Sequence, residues 1–154
     1  IAMGYIIWTD DLATGINVID SQHKRIVHYI NQLTDAKDLD APEIVGGVLA
    51  ELIDYTLSHF AFEESLMEDA KYSAAAIHKR THDAFREKIE KYQQRHQSGE
   101  DVSEELFQLL NVWLMNHIAE DDDSYVPSVK ENITGINTSE KSGWIKTKVQ
   151  QFFQ

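Results

Sequence analysis

The chain has no cysteine, and its 154 residues include only two prolines and seven glycines. Without cysteine there are no disulfides, no thiolate metal ligands and no cysteine nucleophiles. Any metal must therefore be held by nitrogen and oxygen donors, which suit iron, manganese or zinc. Because proline and glycine are scarce, long uninterrupted helices are easy to place along the sequence.

Basic residues are also few, with 14 Lys and Arg against 26 Asp and Glu, which gives a formal net charge of −12. So acidic a surface repels phosphates and anionic lipids, so we expect neither a nucleic acid nor a membrane partner. No apolar run approaches the roughly 20 residues that a membrane span needs. The N-terminus has no basic stretch followed by an apolar one, so no signal peptide is predicted and a cytoplasmic protein is expected.

Apolar residues recur at helical spacing in four segments, which predicts helices over about 18–36, 40–69, 73–96 and 101–126. Short loops join these segments, so the helices are expected to pack as antiparallel neighbours. The predicted fold class is all-α, an up-down-up-down four-helix bundle. Residues 1–130, including an N-terminal arm over 3–17, would form this domain. A polar connector over 131–138 and a short helix from about Ser139 would make up 131–154 and pack on the bundle or extend it.

Polar residues mark the predicted helix ends. Asp40 and Ser73 are predicted caps of the second and third helices, and Gly99 is predicted to terminate the third. Asp101 begins a capping-box pattern for the fourth helix, which is expected to end before Pro127.

Histidines and carboxylates occur at spacings typical of a metal site between helices. Residues four apart share a helix face, so His59 projects with Glu63, and His78 with His82. The first and fourth helices would contribute one histidine each. Five imidazoles and two carboxylates suffice for two metal ions with one position left open, where a small gas such as oxygen can bind. The candidate ligands are His23, His59, Glu63, His78, His82, His117 and one aspartate among Asp121, Asp122 and Asp123.

Each of these residues also has an ordinary structural interpretation. A single histidine on an apolar face is usually a hydrogen-bonded core residue, and an acidic run can simply be a solvated helix end. What favours a metal is the joint pattern, because every helix then contributes a ligand near the middle of the bundle. His28 and His96 are interpreted as solvated residues. Spacing alone favours Asp121, four residues after His117, whereas Asp122 would need a local bulge in the helix to turn inward.

The combined motifs resemble the hemerythrin family, in particular its bacterial members, over roughly residues 5–130. The matching stretches are Trp8…Leu12…Gly15-Ile16…Ile19-Asp20-Ser21-Gln22-His23, His59-Phe60…Glu63-Glu64…Met67, Tyr72…His78…His82…Phe85 and Trp113-Leu114…His117-Ile118…Asp122…Tyr125. The resemblance implies a non-haem centre of two iron ions that binds oxygen reversibly.

The resemblance also implies how the ligands divide. One iron would be held by His78, His82 and His117, and the other by His23 and His59, which leaves a vacant position. Glu63 and Asp122 would bridge the ions, together with an oxo or hydroxo group from water. The family register thus selects Asp122 over Asp121. It also suggests that Tyr125 hydrogen-bonds near the site.

The function expected from this resemblance is oxygen carriage, storage or delivery, by a monomer that is not an enzyme. The chain has no Glu-x-x-His pair of the kind that ferritin-like oxidases use, and a histidine-rich site favours reversible binding. An apolar wall around the vacant position would exclude water, formed by Ile26, Phe60, Trp113, Leu114 and Ile118. The alternative is an oxygen or redox sensor. The recipient would be an oxygen-consuming enzyme in the first case and a signalling partner in the second.

Overall fold

The structure is a computed structural model, and it describes residues 4–118, 123–134 and 146–153. The helices are α1 (Asn17–Asp38), α2 (Pro42–Asp69), α3 (Ala75–Gln97), α4 (Ser103–Asn116) and α5 (Asp123–Thr134). Residues 146–152 are also helical, and no strand occurs within these three described ranges. α1 packs against α2 and α4, while α2 packs against α3 and α5. The predicted all-α four-helix bundle is therefore confirmed.

The core of the bundle consists of two apolar clusters. The larger contains Ile26, Ile30, Leu33, Leu49, Leu52, Phe60, Phe85, Leu106, Leu110 and Leu114, all at most 2% exposed. The smaller comprises Ile16, Ile19, Phe62, Leu66, Met67, Tyr125, Val126 and Val129. These residues recur at helical spacing along their elements, so their burial supplies the main driving force for packing the helices.

The N-terminal arm is held along α1 by polar contacts. The side-chain amide of Asn31 accepts the backbone N–H of Ile6 at 2.8 Å and donates to the Ile6 carbonyl at 3.0 Å. The buried Asp20 carboxylate accepts both the backbone N–H and the hydroxyl of Thr14 at 2.7 Å. These bonds lead the chain into α1 and so fix the start of the helix that carries His23.

Two of the predicted helix caps are wrong. Asp40 takes a left-handed backbone conformation (φ 49°), and its N–H bonds to the Lys37 carbonyl, so it ends α1. Consequently α2 is preceded by Ala41. Ser73 lies within the turn that follows α2, and Ala74 is the residue before α3. Both helices begin without a side-chain cap, so their stability comes from packing.

The third and fourth helices are closer to the prediction. Gly99 has φ +98° and donates its N–H to the His96 carbonyl, so it terminates α3 as expected. Asp101 accepts the N–H of Ser103 at 3.1 Å, but the residue before α4 is Val102. The predicted cap is therefore displaced by one residue.

The fourth helix ends before Pro127, as predicted, because α4 ends at Asn116. Pro127 itself does not end a helix. It lies inside α5, four residues after the first residue, so the N–H it lacks would have bonded only to the Asp123 carbonyl at the start of the helix. The predicted connector is wrong over 131–134, which are helical. Its remaining part and the predicted helix start at Ser139 lie outside the described residues.

The last described residues, 146–153, are here named the C-terminal segment. Its Val149, Phe152 and Phe153 side chains pack against the smaller core cluster, which contains Phe62. The Lys148 ammonium lies 2.9 Å from the Asp69 carboxylate at the end of α2. Among the described residues, no helix is both long enough and apolar enough to cross a bilayer.

Candidate metal centre

The structure brings the described candidate ligands together as two buried donor groups. The first group is His23, His59, Glu63 and His117, and the second is Glu63, His78, His82 and His117. Within each group the ligand atoms lie within 4.8 Å of one another, and every member is buried. Four helical elements contribute, so the site depends on the whole bundle rather than on a local sequence motif.

The i, i+4 pairs place their side chains as the spacing predicted. In α2, Nε2 of His59 contacts Oε1 of Glu63. In α3, the Nε2 atoms of His78 and His82 lie 3.1 Å apart. Two ring nitrogens that face each other inside a buried site can bind a common ion through their lone pairs.

Ring separations indicate which histidines belong together. The His23 and His59 rings are 4.7 Å apart, and the His78 and His82 rings 4.6 Å apart. The His117 ring lies 4.9 and 5.4 Å from the His82 and His78 rings. Its distance to the rings of His23 and His59 is 6.3 Å in both cases. His117 is thus nearer to the α3 pair, which divides the five rings into three and two.

Glu63 belongs to both donor groups. Its Oε1 lies 3.3 Å from Nε2 of His117, and its Oε2 accepts the Tyr125 hydroxyl at 2.7 Å. Tyr125 therefore hydrogen-bonds at the site, as the resemblance suggested. A carboxylate with two oxygens between two groups of imidazoles is suited to bridge two cations.

The pKa values of two donors, one carboxyl and one imidazole, are shifted toward the forms that bind a metal. Burial alone would raise the pKa of Glu63, but the neighbouring His59 and His117 hold it well below its usual value, so the side chain is a carboxylate. Burial lowers the pKa of His82, which favours the neutral imidazole. Metal ligands must be deprotonated in this way.

Contacts behind the ligands were not predicted from the sequence. The Nδ1–H of His59 donates to Oε1 of Gln22 at 2.6 Å. Glu64 lies outside both donor groups, yet its carboxylate is 3.6 Å from Nδ1 of His82 and 2.9 Å from the guanidinium of Arg86. Gln22 belongs to the hemerythrin-like stretch that ends at His23. Its place next to a predicted ligand was the feature of the sequence that could have indicated a role at the site.

Four members of the predicted apolar wall are buried and Trp113 is half-buried, and its two aromatic members stack on different rings. Phe60 stacks on His82 with centroids 4.0 Å apart, and Trp113 stacks on His117 at 4.5 Å. Both aromatic rings therefore contact the side of the site with three histidines. Ile26, Leu114 and Ile118 belong to the larger core cluster and are at most 2% exposed.

The fourth-helix aspartates are only partly within the described residues. Asp121 and Asp122 lie outside them, and Asp123 begins α5. The backbone at 117 and 118 is π-helical, so the helix widens at His117. A π turn is the local bulge that Asp122 would need in order to turn inward.

The donors fit iron. They are imidazoles and a carboxylate, with no sulfur, and they are buried between helices. Five such imidazoles and a buried carboxylate are costly to desolvate unless an ion or a hydrogen bond compensates.

Comparison with known proteins agrees with this geometry. Residues 14–129 match the model of the hemerythrin HHE cation binding domain. A bacteriohemerythrin of Pseudomonas aeruginosa strain LESB58 is 47% identical over 152 residues, covering 98% of this chain and 99% of its own. One from Stenotrophomonas maltophilia is 44% identical with the same coverage. A crystal structure of wild-type hemerythrin superposes with a TM-score of 0.78 at 30% identity, over 82% of this chain and 98% of that one. This chain belongs to the hemerythrin family, whose domain holds a di-iron centre that binds oxygen.

Proposed function

We propose that this chain binds molecular oxygen reversibly at its di-iron centre, for carriage, storage or delivery, and that it is not an enzyme. The observation that carries the proposal is the division of five imidazoles into three and two around the shared Glu63. The two-histidine side has one ligand fewer, which leaves room for a small molecule there. The relatives named as bacteriohemerythrins support the same function.

The proposed ligands follow this division. One iron is assigned to His78, His82 and His117, the other to His23 and His59, and the bridges to Glu63 and Asp122. When bound, a pair of ferrous ions would supply the two electrons that reversible oxygen binding requires. Neutral imidazoles hold the ions without adding negative charge, and Tyr125 keeps the Glu63 carboxylate oriented through its 2.7 Å hydrogen bond.

Apolar side chains favour release of the oxygen over onward chemistry. Ile26, Leu114 and Ile118 are buried in one cluster and are proposed to line the open position. They would exclude the water and protons that convert bound oxygen into reduced products. The stacked Phe60 and Trp113 rings hold the orientations of His82 and His117.

An oxygen or redox sensor acting through a protein partner is the alternative function. Such a sensor needs a surface that changes with the state of the iron. The apolar side chains of the C-terminal segment are the obvious candidates, but they pack on the smaller core cluster of the same chain. This internal packing favours the carrier function.

Substitution of the aspartates tests the proposed second bridge. We expect Asp122→Ala to lose the absorption bands of the bridged di-iron pair, because the family register selects Asp122 and the π turn at His117 is the kind of bulge that this choice requires. The same change at Asp121 or Asp123 should leave the bands intact. Visible absorption spectra of the three iron-loaded variants provide the measurement. Loss of the bands in Asp121→Ala alone would show that regular helix spacing applies instead.

Leu114→Ala tests the proposed apolar wall without removing a ligand. The substitution opens space in the larger core cluster, so water should reach the site and the oxygenated protein should convert faster to its inert oxidised form. Iron content should not change. Leu110→Ala is the matched control, since Leu110 is as buried and lies one turn earlier in α4. Equal oxidation rates in the two variants, measured from the decay of the visible spectrum, would contradict the wall.

A further inference from the structure

Gln22 of α1 forms a hydrogen bond to His59 of α2, on the side of the ring that faces away from Glu63. Its Oε1 lies 2.6 Å from Nδ1 of His59, and only 4% of Gln22 is exposed. An amide oxygen can only accept, so Nδ1 of His59 must carry the proton. The other ring nitrogen, Nε2, lies on the opposite side of the ring and contacts Glu63. One hydrogen bond therefore sets both the tautomer and the direction of the imidazole.

The other side of Gln22 borders a cleft between α1, α2 and the C-terminal segment. The cleft has a volume of about 430 Å³, and its lining includes Gln22, Tyr55, Val149, Phe152 and Phe153. Three of these five residues belong to the C-terminal segment. Its aromatic side chains therefore line the same cleft as Gln22.

Aromatic and polar contacts fix the C-terminal segment in that place. The Phe153 ring lies 5.1 Å from that of Tyr55 and 5.7 Å from that of Phe62. Lys148 donates to the Ser65 hydroxyl at 2.5 Å and pairs with Asp69. The segment begins beyond residue 129, where the match to the family domain ends. The aromatic part of the cleft lining next to Gln22 thus comes largely from outside the matched domain.

We propose that Gln22 is a positioning residue for His59, and that the C-terminal segment limits the access of water to the hydrogen bond between them. The proposal rests on the proposed role of His59 as an iron ligand. A hydrogen bond to the outer nitrogen of a ligating histidine fixes its orientation and raises its basicity. Water competes for such a bond, and the bond is stronger where the surroundings are apolar. The C-terminal segment would in this way tune the iron that carries the open position.

Two substitutions of Gln22 test the positioning role. Gln22→Leu has a similar size but accepts no hydrogen bond, and we expect iron to be held roughly 10–100-fold more weakly in competition with a chelator. Gln22→Glu accepts the same bond and should restore iron retention. Ser21→Ala, an exposed neighbour in the same cleft, is the control and should behave as wild type. Equal retention in Gln22→Leu and wild type would overturn the positioning role.

The role of the C-terminal segment has a separate readout. In the iron-loaded full chain, the NMR signal of the His59 Nδ1 proton is identified by its loss or displacement in Gln22→Leu. We expect this proton to exchange with water faster in Phe153→Ala than in wild type. Tyr92→Ala is the control, because that half-buried ring packs on the larger core cluster.

Failure of the covering role and failure of the proposed function give different results. Unchanged exchange in Phe153→Ala would overturn the covering role of the C-terminal segment. A wild-type chain that takes up no iron would instead contradict the proposed function itself.

Discussion

Removal of the iron from the loaded protein is expected to lower its melting temperature by about 10 °C. A ligand that binds only the folded state, present at a free concentration of roughly 1,000 times its Kd, adds about 4 kcal/mol to the free energy of unfolding. For a domain of this length, each kcal/mol shifts Tm by about 2–4 °C. The physical reason is the site itself, because His23, His59, Glu63 and His82 are 0% exposed and lose their common partner when the metal leaves.

Calorimetry of the loaded and chelator-treated protein is the measurement for this prediction. His28→Ala, which alters an exposed histidine of α1 outside both donor groups, is the control and should show the same loss of Tm on chelation. Identical melting of the loaded and metal-free wild-type protein would mean that the buried histidines do not hold a metal in the folded state.

Glu63→Gln is expected to reduce the iron content from two ions per chain to at most one. The substitution keeps the shape of the side chain but removes the charge that balances the cations in a fully buried position. Glu63 is the only carboxylate shared by the two donor groups of described residues, so its loss affects both. Metal analysis of the purified variant, grown with sufficient iron, gives the result directly.

Glu68→Gln provides the matched control for this substitution. Glu68 lies on α2 as well, but it is exposed and outside both donor groups. The control should retain two irons and the melting temperature of wild type. Retention of two irons by Glu63→Gln as well would show that the shared carboxylate is not a bridge.

The architecture could be predicted because the apolar periodicity and the residues that end helices indicate the same helix positions. Gly99 terminates α3 since its left-handed conformation is one that glycine adopts without strain. The failures occurred where local preference competes with neighbouring structure. Aspartate is a favoured N-cap residue, but the N–H of Asp40 bonds to the Lys37 carbonyl, so Asp40 ends α1 instead of starting α2. Residues 131–134 were predicted as a connector, but α5 continues through them, because Pro127 lies close to the start of that helix and forfeits a single bond.

The ligands could be predicted because four-residue spacing on a helix dictates which side chains share a face. His59 with Glu63, and His78 with His82, needed no tertiary information. The partners behind the ligands could not be found in this way. Gln22 and His59 are 37 positions apart, and their hydrogen bond depends on how α1 crosses α2. The same applies to Phe60, whose stacking on His82 follows from the packing of α2 against α3.

Oxygen uptake by the reduced, iron-loaded protein tests the central claim most directly. The account predicts about one oxygen taken up per pair of irons, with a visible spectrum that appears in air and disappears under argon as the reduced protein returns. Repeated cycles should give the same amplitude. Continuous consumption of many oxygens per iron pair in the presence of a reductant, or a spectrum that never reverses under argon, would contradict it.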